Sequence, residues 1–170
     1  MSSPFRTRSA SFQIRFAEEA DVPLILFFIK ELAAYENLSD EVSATEEVLG
    51  DSLFVRKKAE VVIGEYEGKL VGFALFFHNF STFLGKPGIY LEDLYIKPEM
   101  RGKGLGKIML SFLARLAVER DCGRLEWWCL DWNEPSIKFY KHLGANSMDG
   151  FTVYRVSDKA LTDLAGEFGA

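Results

Sequence analysis

The segment from Ile89 to Arg120 combines residue types that could bind an anion. A β-rich run ends at Lys97-Pro98, a glycine-rich turn extends from Arg101 to Gly106, and apolar residues at helical spacing follow. Glycines without a Cβ allow consecutive backbone N–H groups to converge on one point, and the positive end of a helix dipole adds attraction for phosphate oxygens. The segment therefore predicts a strand, a turn and a helix that bind a pyrophosphate.

Three phosphate-binding patterns compete for this turn, and the residue spacing separates them. A Walker A loop needs Ser or Thr after its lysine, but Ile108 follows Lys107. The dinucleotide pattern G-x-G-x-x-G needs glycine at position 107 or 109, where the chain has Lys107 and Met109. The pattern that remains is Arg101-x-x-Gly104-x-Gly106.

The strand before the turn carries two adjacent carboxylates that could act on an amine. An aliphatic amine has a pKa of roughly 10.4, so it must lose a proton before it can act as a nucleophile. Glu92, next to Asp93, could attract the ammonium and accept that proton, although an ion pair would also explain a glutamate in an otherwise apolar strand. Because neighbours on a regular strand point to opposite faces, only one of the two carboxylates is expected to face a cleft.

A second motif lies downstream of the turn, and the two motifs together indicate a protein family. Residues 133–140 read N-x-x-S-x-x-F-Y and are followed by Gly144-Ala145. With the turn at 101–106, this motif resembles the GNAT acetyltransferase superfamily. The segments 29–33, 35–36, 91–93 and 132–136 are similar to the branch that contains the spermidine/spermine and thialysine N-acetyltransferases, and the resemblance spans roughly residues 12 to 165.

The resemblance implies acetyl-CoA as the co-substrate and no metal. In the family a glycine turn holds the pyrophosphate, a strand edge pairs with the pantetheine arm, and a later helix start adds further contacts. The corresponding cofactor-binding residues of this chain are Leu94, Tyr95, Ile96, Arg101, Gly102, Lys103, Gly104, Leu105, Gly106, Lys107, Asn133, Glu134, Pro135 and Ser136.

The same resemblance implies two catalytic residues and an acceptor cleft. Tyr140 corresponds to the general acid that protonates the departing thiolate, and Glu92 to the general base. A phenol with a pKa near roughly 10 stays protonated at neutral pH, which suits an acid, although a core aromatic is the alternative for Tyr140. The corresponding acceptor-binding residues are Tyr35, Glu36, Glu92, Asp93, Glu126, Trp127 and Trp128, of which Glu36 and Glu126 could instead be solvated surface charges.

The hydrophobic periodicity predicts an element order of β, α, α, β, β, β, α, β, α, β, α. We expect an α/β (α+β) GNAT fold, in which a mixed sheet has an antiparallel N-terminal meander splayed from a C-terminal βαβ part, with helices on both faces. Among the predicted boundaries are a helix capped by Asp21, a capping box from Ser43 to Glu46, a buried strand over 125–130 and a last strand over 151–156. Residues 1–10 are expected to be flexible, and residues 11–170 to form a single acetyltransferase domain.

Composition limits the partners and the compartment. The formal net charge of −5 argues against a nucleic-acid surface, and no apolar run approaches the length of a membrane span. The N-terminus lacks the apolar stretch of a signal peptide, and Cys122 and Cys129 have neither metal-ligand nor disulfide spacing, which favours the cytoplasm. The family resemblance implies a homodimer.

The expected reaction is acetyl transfer from acetyl-CoA to the primary amine of a small cationic metabolite. A polyamine, a diamine and a thialysine-like or lysine-like amino acid remain open as acceptors. The segment 146–151 carries only one acid, Asp149, where related polyamine enzymes carry an acidic cluster, so a long polycation would lose an anchor. The alternatives are acetylation of protein lysines or aminoglycosides, and a coenzyme A-binding module without turnover.

Overall fold

The computed structural model describes residues 4–169, and Met1 to Ser3 of the predicted flexible segment lie outside this range. The chain divides into two compact units, one reaching to Trp128 and the other beginning at Cys129, and each is described here by itself. The single acetyltransferase domain over 11–170 stays a prediction.

The first unit is built on a six-stranded sheet in the order β1-β2-β3-β4-β5-β6. Neighbouring strands are antiparallel from β1 to β5, whereas β6 is parallel to β5. This mixed sheet confirms the predicted meander followed by a βαβ connection. The strands are β1 Phe5–Arg6, β2 Phe12–Phe16, β3 Glu60–Tyr66, β4 Lys69–Ser81, β5 Lys86–Ile96 and β6 Leu125–Trp127.

Five α-helices accompany the sheet in the described residues. The first unit contains α1 Val22–Glu36, α2 Glu46–Gly50 and α3 Leu105–Glu119, and a π-helical turn, Asp51–Val55, extends α2. The second unit contains α4 Glu134–His142 and α5 Asp158–Gly166.

The helices α1 and α3 cover opposite faces of the sheet, as predicted. On one face, Ile25 and Phe28 of α1 pack with Ile63, Phe73 and Tyr95 in a buried apolar cluster. On the other face, a Cβ placed on Gly64 would meet the Phe12 ring and the sulfur of Met109 in α3. Because Ile63 and Gly64 are neighbours on a strand, their opposite directions follow from the period of two. The sheet is therefore buried between two helical layers.

The strand β5 is paired along its whole length on one side only. Residues 86–96 pair with β4, but β6 pairs only with Ile89, Tyr90 and Leu91. Among the described strands, nothing pairs with the other edge of β5 beyond Leu91. The sheet is splayed at this point, as the family resemblance implied.

Several predicted boundaries were wrong, each for a local reason. Asp21 precedes α1 but makes no side-chain cap, because its carboxylate binds Arg15 at 2.6 and 2.8 Å. Thr45, rather than Ser43, caps α2 by accepting a hydrogen bond from the Val48 N–H. Within the predicted flexible segment, Phe5–Arg6 forms β1 against β2.

The two predicted strands near the C-terminus also differ from the structure. The expected strand over 125–130 is limited to 125–127, and its residues are only partly buried. Residues 151–156 are exposed and form no strand within the described chain, although aromatic and β-branched residues predominate among them. A strand pattern needs a hydrogen-bonding partner, and the described residues supply none for this segment.

We expect Gly72→Ala to destabilise the protein by about 1–3 kcal/mol, the usual effect of overpacking. An added Cβ at Gly72 would overlap the carbonyl oxygen of Tyr95 on β5. Thermal denaturation measures the effect, and Gly106→Ala is the control because its Cβ would meet nothing within 4 Å. Equal melting temperatures for the two variants would contradict the close approach of β4 and β5.

Candidate active site

The glycine turn before α3 leaves a helix N-terminus open. Gly102 and Gly104 adopt φ values of 78° and 76°, in the left-handed region where a Cβ is disfavoured. Gly104 is the N-cap of α3 and has no side chain to satisfy the first N–H groups of the helix. The turn therefore presents unsatisfied backbone donors and the positive end of the helix dipole, as a phosphate site requires.

Gly106 supplies a separate indication of a ligand at this turn. It lies inside α3, and its φ is outside the left-handed region. A Cβ at Gly106 would meet nothing within 4 Å. The described fold does not need glycine here, and glycine lowers helix stability relative to alanine. Close approach of a ligand to the backbone would explain it.

The side chain of Arg101 fixes the turn to its neighbours. Its Nε donates a hydrogen bond to the carbonyl oxygen of Ile96 at 3.1 Å. Its guanidinium lies 4.6 Å from the ring centroid of Tyr35 and 5.8 Å from that of Tyr95. The hydroxyl of Tyr95 donates to Glu31 at 3.2 Å. Cation–π contacts thus connect the turn to both α1 and β5.

The predicted pantetheine-pairing residues lie between this turn and the carboxylates of β5. Leu94, Tyr95 and Ile96 pair with β4 on one side, whereas their other edge is unpaired among the described strands. An extended ligand could add to that edge as another strand would. At about 3.3 Å per residue, the path along β5 from Ile96 to Glu92 is about 13 Å.

A β-bulge in β5 brings both adjacent carboxylates to one cavity. Leu75 of β4 pairs with Asp93 and Phe76 pairs with Leu91, so Glu92 has no partner in β4. A bulge places two residues opposite one and breaks the strict alternation of side chains. The expectation that only one carboxylate faces the cleft was wrong, because Glu92 and Asp93 both line the same cavity.

This cavity has a volume of about 380 Å³ and an acidic lining. Carboxylates come from β5, from the end of α1 and from the connection between α1 and α2. Apolar side chains form most of the remaining wall. The lining residues are Ile29, Leu32, Ala33, Glu36, Leu38, Glu41, Val42, Ser43, Ala44, Glu92 and Asp93.

Burial and like charge shift the protonation of these carboxylates. Burial, and then the charges of Glu92 and Glu36, raise the pKa of Asp93 to about 6. Burial also raises the pKa of Glu36. A cation entering the cavity would relieve this repulsion, so the arrangement favours an ammonium ligand.

Two residues near the cavity were missed in the sequence. Glu41 lines the cavity from the connection between α1 and α2. Tyr90 is close enough to Glu92 and Glu126 that burial and both charges raise the pKa of its phenol. The high density of acids from Glu36 to Glu47 was a usable signal for Glu41.

Four predicted acceptor residues do not line this cavity. The ring of Tyr35 contacts Arg101 instead. The carboxylate of Glu126 accepts a hydrogen bond from Asn79 at 2.7 Å and forms an ion pair with Arg124 at 2.7 Å. Trp127 ends β6, and Trp128 is exposed with its ring edge toward Tyr90. Their roles in acceptor binding stay predictions.

The second unit contains the other predicted motif at the start of α4. The side-chain oxygen of Asn133 caps the helix by accepting a hydrogen bond from the Ser136 N–H at 3.4 Å, and Pro135 lies in the first turn. Tyr140 lies seven residues after Asn133, about two helical turns, so both are on one side of α4. The helix ends where the Ala145 N–H binds the Tyr140 carbonyl at 3.1 Å. The catalytic role of Tyr140 stays a prediction.

The described residues contain neither a cluster of metal ligands nor a membrane-spanning helix. No group of three or more His, Cys, Asp or Glu side chains there could hold a metal ion. No helix in that part of the chain is long and apolar enough to cross a membrane.

The open glycine turn, the partly paired strand β5 and the mixed sheet covered by helices together match the fold expected of an acetyltransferase. The model of the acetyltransferase (GNAT) family matches residues 26–145. The chain belongs to this family.

Two named acetyltransferases and one solved structure are among the proteins to which the chain is similar. The chain is 38% identical to a thialysine N-epsilon-acetyltransferase of Sus scrofa, over 93% of this chain and 99% of that protein. It is also 38% identical to the spermidine/spermine N(1)-acetyltransferase-like protein 1 of Homo sapiens, over 92% of this chain and 24% of that protein. An integron cassette protein from the mobile metagenome of V. cholerae has a similar structure, with a TM-score of 0.76, 27% identity and coverage of 92% and 99% of the two chains.

We expect Gly106→Val to weaken coenzyme A binding at least about tenfold without lowering the melting temperature. The valine side chain would occupy space that the described chain leaves open, and valine is no worse than glycine in a helix. Titration calorimetry and thermal denaturation measure the two effects. Gly106→Ala is the matched control, because it adds a single methyl group at the same position. Unchanged binding by the valine variant would contradict a ligand at this turn.

We expect Asp93→Asn to raise the melting temperature at pH 8 but not at pH 4. The pKa of Asp93 is raised from 3.8 to about 6, so the free energy of unfolding falls as pH rises through that window. Two pKa units correspond to at most about 3 kcal/mol, and we expect a gain of about 1–2 kcal/mol above pH 6. Asp40→Asn makes the same change at an exposed residue outside the cavity lining, so it is the control and should change stability by less than about 0.5 kcal/mol. If the difference in melting temperature between Asp93→Asn and the unmodified protein did not change with pH, the raised pKa of Asp93 would be contradicted.

Proposed function

We propose that the protein transfers the acetyl group of acetyl-CoA directly to the primary amine of a small cation. The observation that carries the proposal is the bulge in β5, which holds Glu92 and Asp93 in one acidic cavity. The same strand leads through the free edge at 94–96 to the open turn. One strand therefore connects a candidate phosphate site to a candidate cation site.

The turn and the strand edge would hold the cofactor. The N–H groups at the start of α3 would bind the pyrophosphate, with Lys103 and Lys107 adding positive charge nearby. The free edge of Leu94, Tyr95 and Ile96 would pair with the pantetheine arm. Residues 133–136 of the second unit complete the predicted cofactor set. Acetyl-CoA would supply the activated acyl thioester.

The acidic cavity would bind the acceptor and take its proton. The carboxylates attract an ammonium, and Glu92 is proposed to accept a proton from it, directly or through water. Asp93 would share this task, because burial and the neighbouring charges of Glu92 and Glu36 raise its pKa to about 6. The neutral amine could then attack the thioester carbon.

Tyr140 is proposed to complete the reaction by protonating the leaving thiolate. A phenol keeps its proton at neutral pH and can give it to a thiolate as the carbon–sulfur bond breaks. Two observations support this role. Tyr140 belongs to the family motif over 133–140, and it lies on the same side of α4 as the Asn133 cap.

We further propose that the protein works as a homodimer. The apolar side chains of Phe151, Val153 and Val156 are exposed along a segment that lacks a partner in the described chain. An unpaired strand pattern favours pairing with another chain, and a second copy is the occupant that the family resemblance implies. The cytoplasm remains the proposed compartment, in keeping with the absence of a disulfide at Cys122 and Cys129 in the described chain.

An acetylation assay on a panel of amines tests the proposed function. We expect acetyl-CoA-dependent release of coenzyme A with at least one small diamine, polyamine or lysine-like amino acid. We expect Tyr140→Phe to lower kcat by about 10²-fold or more, the usual contribution of a general acid, with little change in coenzyme A affinity.

The controls separate chemistry from folding and binding. Tyr154→Phe removes the same hydroxyl from a tyrosine that is 90% exposed, and it should leave kcat unchanged. Full turnover by Tyr140→Phe would exclude it as the acid. Coenzyme A binding without turnover of any small amine would favour a protein acceptor or a non-catalytic module.

A further inference from the structure

The side chain of Arg101 lies at the end of the open edge of β5. The Lys97 N–H donates a hydrogen bond to the Val71 carbonyl oxygen of β4 at 2.9 Å, and the described chain contains no cis peptide bond. In a trans peptide the C=O points opposite to the N–H, so the Ile96 carbonyl points away from β4. Arg101 Nε donates to that carbonyl at 3.1 Å. The arginine therefore occupies the last acceptor of the open edge.

Two aromatic rings hold the guanidinium in this place. The ring of Tyr95 is buried, its hydroxyl donates to Glu31 of α1 at 3.2 Å, and its centroid lies 5.8 Å from the guanidinium carbon. The ring of Tyr35 is closer, at 4.6 Å, and 37% of this residue is exposed. Removing the Tyr35 ring would therefore take away the closer of the two cation–π contacts without opening the core.

The position of Arg101 matters because the next part of the turn is not fixed by side-chain packing. Gly102 and Gly104 have left-handed backbone conformations, and a Cβ at either would meet nothing within 4 Å. A site loses affinity when it must become ordered at the moment of binding. Contacts that fix the first residue of the turn therefore favour binding of a pyrophosphate to the N–H groups that follow.

The same contact separates Tyr35 from the acidic cavity. Glu36 lines that cavity, whereas Tyr35 does not, and the ring of Tyr35 lies against the guanidinium instead. Neighbouring residues on a helix are roughly 100° apart around its axis, so the two side chains point in different directions. Adjacent residues of α1 thus serve different regions of the candidate site.

We infer that Tyr35 is a positioning residue of the cofactor site. Its ring holds the Arg101 side chain at the end of the open edge, and this fixes the start of the turn that would bind the pyrophosphate. The inference rests on the proposed function and deepens it. It assigns Tyr35 to the cofactor side, whereas the family resemblance implied a role in acceptor binding.

Calorimetric titration with coenzyme A tests this role. We expect Tyr35→Leu to weaken binding about three- to fivefold, the size of an exposed cation–π contact. Tyr35→Phe keeps the ring face and should bind within about twofold of the unmodified protein. Phe27→Leu is the matched control, because it removes an exposed ring of α1 that lies over Lys97 rather than Arg101, and it should leave the affinity unchanged.

Steady-state kinetics separate the cofactor side from the acceptor side. We expect Tyr35→Leu to raise the KM for acetyl-CoA by the same factor as the dissociation constant. Because saturating acetyl-CoA orders the turn in either protein, kcat and the KM of the amine should then change less than about twofold. A rise in the KM of the amine alone would place Tyr35 in the acceptor site and overturn the inference.

A double-mutant cycle tests whether Tyr35 acts through Arg101. Arg101→Gln removes the cation but keeps an amide that can donate to the Ile96 carbonyl. In this background we expect Tyr35→Leu to weaken coenzyme A binding less than about 1.5-fold. If Tyr35→Leu had the same effect with and without the arginine, Tyr35 would not act through Arg101 and the inference would be wrong.

The outcomes distinguish the inference from the function on which it rests. If coenzyme A binds but no amine is acetylated, the proposed function fails, and the calorimetric comparison still decides the role of Tyr35. If amines are acetylated but Tyr35→Leu and Tyr35→Phe bind coenzyme A alike, only the inference fails. If the unmodified protein does not bind coenzyme A, both fail.

Discussion

The strand β5 is incompletely paired with both of its neighbours, and the candidate site depends on this irregularity. Against β4, one extra residue at Glu92 interrupts the ladder and brings two consecutive carboxylates to one cavity. Against β6, pairing stops at Leu91 and leaves the following edge open. Strict alternation would have placed only one of the two acids on that side. The open edge follows from the shortness of β6, so both candidate binding regions depend on the incomplete pairing of β5.

The parts that local patterns determine were predictable from the sequence. The turn at 101–106 and the start of the helix after it depend on glycines, and Gly102 and Gly104 have positive φ values in the structure. The helical layers follow from periodicities of apolar residues. These features need only neighbouring residues, so a single sequence is sufficient to place them.

The parts that depend on distant residues were not predictable in the same way. The bulge at Glu92 is a matter of register against Leu75 and Phe76, which alternation within β5 cannot show. The pairing of Glu126 with Arg124 and Asn79 also requires knowing which strand ends meet. The segment 151–156 has the pattern of a strand, but a pattern does not supply the partner that a strand needs.

The helix α1 contributes residues both to the acidic cavity and to the contacts that position the glycine turn. Ile29, Leu32, Ala33 and Glu36 border the acidic cavity, while Tyr35 and, through Tyr95, Glu31 hold the arginine at the start of the glycine turn. A small rotation of this one helix would alter both places at once. Binding of the cofactor at the turn and binding of the amine in the cavity would then be coupled through α1. Their binding constants should therefore vary together rather than independently.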